Sequence, residues 1–160
     1  MHDTDTPGGE VTGHSTGRCL CGAVRYHVSG PLRPVIYCYC DMCRRTTGHF
    51  GAFTACDRDS LHLEKADALK WYQSSPRARR GFCGVCGSIL FWDAPATPSI
   101  SIAAGSLSKP TGLRASEHIF TESAGDYYQI LDELAQHSRW PPGWGSLGAI
   151  EPIPGQAEEC

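Results

Sequence analysis

Seven of the nine cysteines in this 160-residue chain fall into three tight groups, and that grouping constrains the fold more than any other feature. The groups are C-x-C at Cys19 and Cys21, C-x-C-x-x-C at Cys38, Cys40 and Cys43, and C-x-x-C at Cys83 and Cys86. Thiols at such spacing converge on metal ions, and a chain whose distant segments meet on one ion is stitched there. Residues i and i+2 of an extended chain face the same side, so Cys19 and Cys21 can reach one metal. In "CGVCGS" two cysteines flank a tight turn, and Gly84 and Gly87 let the backbone curl so that both sulfurs face one ion. Cys19, Cys21, Cys83 and Cys86 together make a closed, tetrahedral, structural zinc site.

The remaining trio differs. Three thiolates on one zinc leave a fourth position open, which separates catalytic from structural zinc sites. The alternative is a second structural site completed by Cys56, His49 or His62. Three thiolates give a net negative site that suits a soft ligand, above all another thiolate. Zinc is therefore expected at two ions per chain. Arg44 and Arg45 follow Cys43 directly and could hold substrate carboxylates, or lie on the solvated surface. Thr47 and Gly48 sit in the loop beyond the trio as further substrate-binding candidates, with Thr46 and His49 beside them. Cys56 reads as a small buried hydrophobe in a strand, and Cys160 as an inert thiol on a tail.

Hydrophobic residues make up 41% of the chain, enough for one core, and the formal net charge is −3 with both signs mixed along the sequence. That balance offers no field for nucleic acid, and no apolar run approaches the roughly 20 residues needed to span a bilayer. The start, "MHDTDTPGGEVTGHSTG", has no basic region followed by an apolar stretch. With so many clustered thiols, a reducing, cytoplasmic setting is expected. Residues 1–16 read as a disordered tail, 17–139 as a zinc-binding β domain and 140–160 as a Pro/Gly-rich tail. Strands are expected in "AVRYHV", "PVIYCYC", "FGAFTAC", "LHLEKA", "LKWYQS", "GSILFW", "ISIAAG" and "ASEHIFT", with a loop or short helical turn after Cys43. "YYQILDELAQHS" carries a helical spacing over one or two turns. The class is mainly β in a single domain.

"GRCLCGAVRY", "CYCDMCRRTTG", "RGFCGVCGSIL", "AAGSL" and "HIF" occur here in an order that resembles the glutathione-dependent formaldehyde-activating enzyme family, which also includes centromere protein V. The resemblance runs from about Gly17 to Ile130. It implies a β-tent fold of small antiparallel sheets stitched by zinc. It implies a structural zinc on Cys19, Cys21, Cys83 and Cys86, and a catalytic-type zinc on Cys38, Cys40 and Cys43. It also implies a carbon–sulfur lyase activity joining glutathione and formaldehyde to S-hydroxymethylglutathione. Arg80 matches an arginine that the family tends to carry, as an anion-binding group or a surface salt bridge. Two positions depart from the family. Tyr39 stands where the family usually has His, and Tyr127 where it often has Trp. A second class of function, a non-catalytic zinc module for a protein or chromatin partner, stands beside the enzyme reading. The fourth position on the trio's metal decides between them.

Overall fold

The computed structural model describes residues 13–144. Most of both expected tails, Cys160 included, lies outside these described residues. Alternation of apolar and polar side chains sets the strands. In β2 (Arg25–Val28), Tyr26 and Val28 are buried while Arg25 faces solvent, as a strand with one face on the core requires. The chain forms β1 (Ser15–Arg18), β2, β3 (Val35–Cys38), α1 (Asp41–Thr47), β4 (Gly51–Asp57) and β5 (Leu61–Lys65). It continues as β6 (Leu69–Ser75), β7 (Ala78–Cys83), β8 (Ile89–Asp93), β9 (Ser99–Ala103), β10 (Ala115–Ile119) and β11 (Ala135–Gln136).

These strands make two sheets, ordered β1-β2-β5 and β11-β10-β3-β4-β9-β8-β7-β6. Hairpins give antiparallel pairs in most of this arrangement. β10 departs from the all-antiparallel expectation by running parallel to β3 and β11. All of β4–β9 intervenes in sequence between β3 and β10, and an irregular stretch separates β10 from β11, so both parallel neighbours are joined by the long connections such pairing requires. The first strand begins at Ser15, inside the stretch read as a tail. Gly17 is needed there. It lies across from Tyr26, and a Cβ at this position would sit 2.2 Å from the tyrosine ring.

The main core lies between the sheets. Val24, Tyr26, Val28 and Leu32 from one side meet Leu90, Phe91, Ile100 and Ile102 from the other, with Cys56 buried among them as a small apolar residue. Asp93 is buried and pairs with Arg58 at 2.7 Å and Arg79 at 2.8 Å, so its charge is neutralised where water is excluded. A second, smaller apolar cluster gathers around Cys40, Cys43, Ile36, Phe53, Ile119 and Phe120. The three-cysteine motif sits there.

The expected helix in "YYQILDELAQHS" does not form. Residues 127–134 are irregular and Ala135–Gln136 is a strand. The apolar spacing is outweighed by anchors of another kind. Asp132 accepts the Leu134 N–H at 3.0 Å and the His118 ring at 2.8 Å, a local turn that competes with helix. Among the described residues no helix is long and apolar enough to cross a membrane.

Candidate metal centres and the adjoining cavity

The four outer cysteines meet. Cys19 and Cys21 come from the turn between β1 and β2, Cys83 ends β7, and Cys86 lies in the turn that leads to β8. Their four sulfurs lie within 4.8 Å of one another, and the site joins the three-stranded sheet to the eight-stranded one. Cys19 Sγ is 3.6 Å from Cys21 Sγ, and Cys21 Sγ is 3.8 Å from Cys83 Sγ. A tetrahedron with zinc–sulfur bonds of about 2.3 Å has sulfur–sulfur edges of about 3.8 Å, so this donor set fits a zinc ion. The backbone supports the same charge. The Val24 N–H donates to Cys19 Sγ at 3.2 Å, and Ser88 Oγ contacts Cys86 Sγ at 3.2 Å. The Ser88 contact brings the Cys86 thiol down to about 5, into the range where it is a thiolate at neutral pH.

Cys38, Cys40 and Cys43 form the second group. Cys38 ends β3, and Cys40 caps the N-terminus of α1, where its sulfur accepts the Cys43 N–H at 3.4 Å. One helical turn then carries Cys43 back over Cys40. Among the described residues no His, Cys, Asp or Glu joins this group, so Cys56, His49 and His62 are not its fourth ligand. Packing three thiolates together without a cation is unfavourable. Contact with Cys40, then contact with Cys43 and burial, push the Cys38 thiol well above its ordinary value. Cys43 is drawn down by Cys38, but contact with Cys40 and burial outweigh this and push it up to about 12. The arrangement fits a dication that would hold all three sulfurs in the ionised form.

The cation that the protein itself brings is Arg80. Alternation along β7 turns Arg79 toward Asp93 and the Trp71 ring, and Arg80 toward the thiols. Arg80 is 2% exposed, and its two terminal nitrogens lie 3.8 and 3.9 Å from Cys43 Sγ. Its Nε is buried and has no hydrogen-bond partner. A guanidinium in this position offsets the negative charge of the thiolates.

The trio and Arg80 open into a cavity of ≈ 170 Å³. Ile36 and Cys38 reach it from the same face of β3. Phe53, Trp92 and Ser101 come from β4, β8 and β9, and Ile119, Phe120, Trp140 and Trp144 complete the lining. Gly51 helps place this wall. A Cβ there would fall 2.4 Å from the Phe53 ring and 3.4 Å from Cys43 Cβ.

The other sequence candidates lie elsewhere. Arg44 is ion-paired to Asp41, as is Arg45 at 2.6 Å; Arg45 is 71% exposed, and neither lines the cavity. Thr47 Oγ1 donates to the Cys43 and His49 carbonyls, and Gly48 closes α1 in the left-handed region at φ 82°. Both shape the loop, outside the cavity lining. Tyr39 points to the opposite face of β3. Its hydroxyl is 2.8 Å from His118 Nδ1, whose Nε2 is 2.8 Å from Asp132 Oδ1, and Phe50 packs against the tyrosine ring. His118 is thus a buried structural link. It draws the Asp132 carboxyl below its ordinary range, chiefly by the hydrogen bond. Tyr127 is exposed beside His49. Neither substitution in the family pattern touches the cavity wall.

Sequence reasoning passed over Trp92, Trp140 and Trp144. The last two were available as a signal, because "RWPPGWG" sets two large aromatic residues in a stretch otherwise read as a tail.

Comparison with known proteins shows the family. A protein of Halomonas elongata, provisionally named a glutathione-dependent formaldehyde-activating enzyme, is 32% identical over 128 residues, spanning 71% of this chain and 79% of the relative. A crystal structure of a Rhodobacter sphaeroides protein superposes with a TM-score of 0.50 at 27% identity, covering 59% of this chain and 88% of that one. Residues 14–123, which carry all three cysteine motifs, match the family model described as glutathione-dependent formaldehyde-activating enzyme, and the chain belongs to that family.

Proposed function

We propose that the chain is an enzyme of the carbon–sulfur lyase type, joining a thiol to an aldehyde and reversing that step, in the simplest case glutathione and formaldehyde. One observation carries this reading. Three clustered thiols, Cys40 and Cys43 buried and Cys38 half-buried, and a buried guanidinium face a cavity, and no fourth protein ligand accompanies them among the described residues. A closed structural site has no use for such a cavity. The four-cysteine group holds the fold together, and the trio serves the chemistry.

Cys38, Cys40 and Cys43 would hold a zinc ion, which when bound supplies a Lewis acid that favours the ionised form of a thiol at neutral pH. Arg80 then balances charge as a further thiolate enters beside Cys43. The largely apolar cavity wall limits hydration of the sulfur and so keeps its lone pair reactive. The sulfur attacks the aldehyde carbon and a carbon–sulfur bond forms. The C=O π pair moves to oxygen, which takes up the proton that the thiol gave away. Nothing is oxidised or reduced. The glutathione peptide, too large for the cavity, would lie at its mouth. A reducing compartment such as the cytoplasm suits a protein with eight described cysteines and no disulfide among them.

Isothermal titration of glutathione into zinc-loaded protein tests the reading. Binding should release about one proton per glutathione near pH 7, detected by repeating the titration in buffers of different ionisation enthalpy, because the thiol binds ionised. Cys40→Ser should abolish the signal. Absence of binding, or binding with no proton release, would refute a thiolate-binding site.

A further inference from the structure

The cavity is larger than the simplest substrate needs. Formaldehyde brings one carbon, yet the space beside the thiols measures ≈ 170 Å³. An engineered cavity of about 150 Å³ with Leu, Ile and Phe walls takes up benzene, so there is room here for one aromatic ring. The walls are suited to it. Ile36, Phe53, Trp92, Ile119, Phe120 and Trp144 are apolar, and charge enters only from Arg33, Arg80 and the thiols. A small, hydrated hydroxymethyl group gains nothing from such surroundings, whereas an apolar group gains in proportion to the area it buries.

Two wall residues lie outside the stretch that matches the family model. Trp140 and Trp144 lie beyond residue 123, where the match to the family ends. Their segment is held in place rather than resting loosely on the surface. β11 pairs with β10, the Thr121 N–H donates to the His137 carbonyl at 3.1 Å, and the Phe120 N–H donates to the Arg139 carbonyl. Trp140 packs edge-on against Phe120 at 4.9 Å and stacks on Trp144 at 5.9 Å, and the Arg33 guanidinium lies 5.8 Å from the Trp144 ring. Phe120 adopts the left-handed backbone region at φ 59°, a conformation that is unfavourable for a residue with a side chain. The fold keeps this cost at the cavity wall, a pattern typical of binding sites.

We propose that the electrophile handled here is an aldehyde carrying an apolar substituent up to the size of one aromatic ring, bound as its thiol adduct with the ring between Phe53, Trp92 and Trp144. This rests on the thiol–aldehyde reading above and narrows its substrate class. The chemistry stays balanced: sulfur adds to the aldehyde carbon, and the proton lost by sulfur ends on the new hydroxyl.

Two stable thioethers test it, S-benzylglutathione and S-methylglutathione, titrated into the zinc-loaded full chain alongside glutathione itself. S-benzylglutathione should bind about ten-fold or more tightly than S-methylglutathione, and should quench tryptophan fluorescence where the methyl compound does not. Trp144→Ala should reduce the ratio to within about three-fold by weakening S-benzylglutathione more than S-methylglutathione, and Trp144→Phe should restore most of it. Trp140→Ala, more exposed than Trp144, should give a partial loss. Equal affinities, preference for the methyl compound, or binding of glutathione with neither thioether would overturn the proposal while sparing the thiol reading. Failure of all three to bind would overturn both.

Discussion

Cys83→Ser should unfold the chain at room temperature, or lower its melting temperature by tens of degrees, with loss of the zinc shared by Cys19, Cys21 and Cys86. Binding of structural zinc is folding free energy, about 10 kcal/mol or more in small zinc domains, and that equals the whole stability of a typical domain. The reason is topological. The four sulfurs join the β1–β2 turn to the β7–β8 turn across 62 residues of sequence and two separate sheets. Cys40→Ser should behave differently. It should remain folded and lose only the second zinc, because serine can still cap α1 and the strands on either side keep their hydrogen bonds. Cys56→Ser is the control, a buried cysteine outside both groups, and should keep two zinc ions at a modest stability cost. Circular dichroism melts with elemental analysis of each variant would read both effects. Equal unfolding of the Cys83 and Cys40 variants would make the trio structural as well and favour a non-catalytic zinc module.

Arg80→Ala should weaken glutathione binding about 10- to 100-fold, the range of a charge-assisted contact of about 1.5–3 kcal/mol. Its buried Nε and its position beside Cys43 leave no solvent to replace the lost charge. Arg80→Lys should recover only part of the affinity, because a point charge cannot reproduce the guanidinium fork. Arg44→Ala should change binding by less than about three-fold, since Arg44 is committed to Asp41 on the helix. Titration of glutathione into each variant, with zinc content measured in parallel, separates the two arginines. A large effect at Arg44 with none at Arg80 would reverse the assignment.

The contrast between these arginines shows what was legible in the sequence. Cysteine spacing encodes short-range geometry, so both metal groups could be read from C-x-C and C-x-x-C without a fold. Strand positions followed from alternation in the same way. Arg44 and Arg45 drew attention because they adjoin Cys43, but adjacency on a helix means that side chains at i+3 and i+4 from Asp41 find Asp41 first. Arg80 reaches the trio only through pairing of β7 with β8 and the course of the sheet, a long-range fact that local pattern does not carry. Trp140 and Trp144 were hidden by composition. Proline and glycine around them mark irregular backbone, yet irregular backbone pinned by β11 and Phe120 still delivers two rings to the cavity. The false helix near Tyr128 failed for a related reason: its apolar spacing was genuine, but Asp132 and His118 set the local backbone.

The central claim is that the two cysteine groups differ, one closed by four thiolates and the other holding three with a position left for a substrate thiol. Cadmium-113 NMR of protein refolded with that isotope tests it most directly, because the shift reports how many sulfurs surround each ion. Two resonances are expected, one in the four-sulfur range and one upfield of it. Added glutathione should move only the second, toward the four-sulfur range. Two four-sulfur resonances that ignore glutathione, or one resonance alone, would contradict the account.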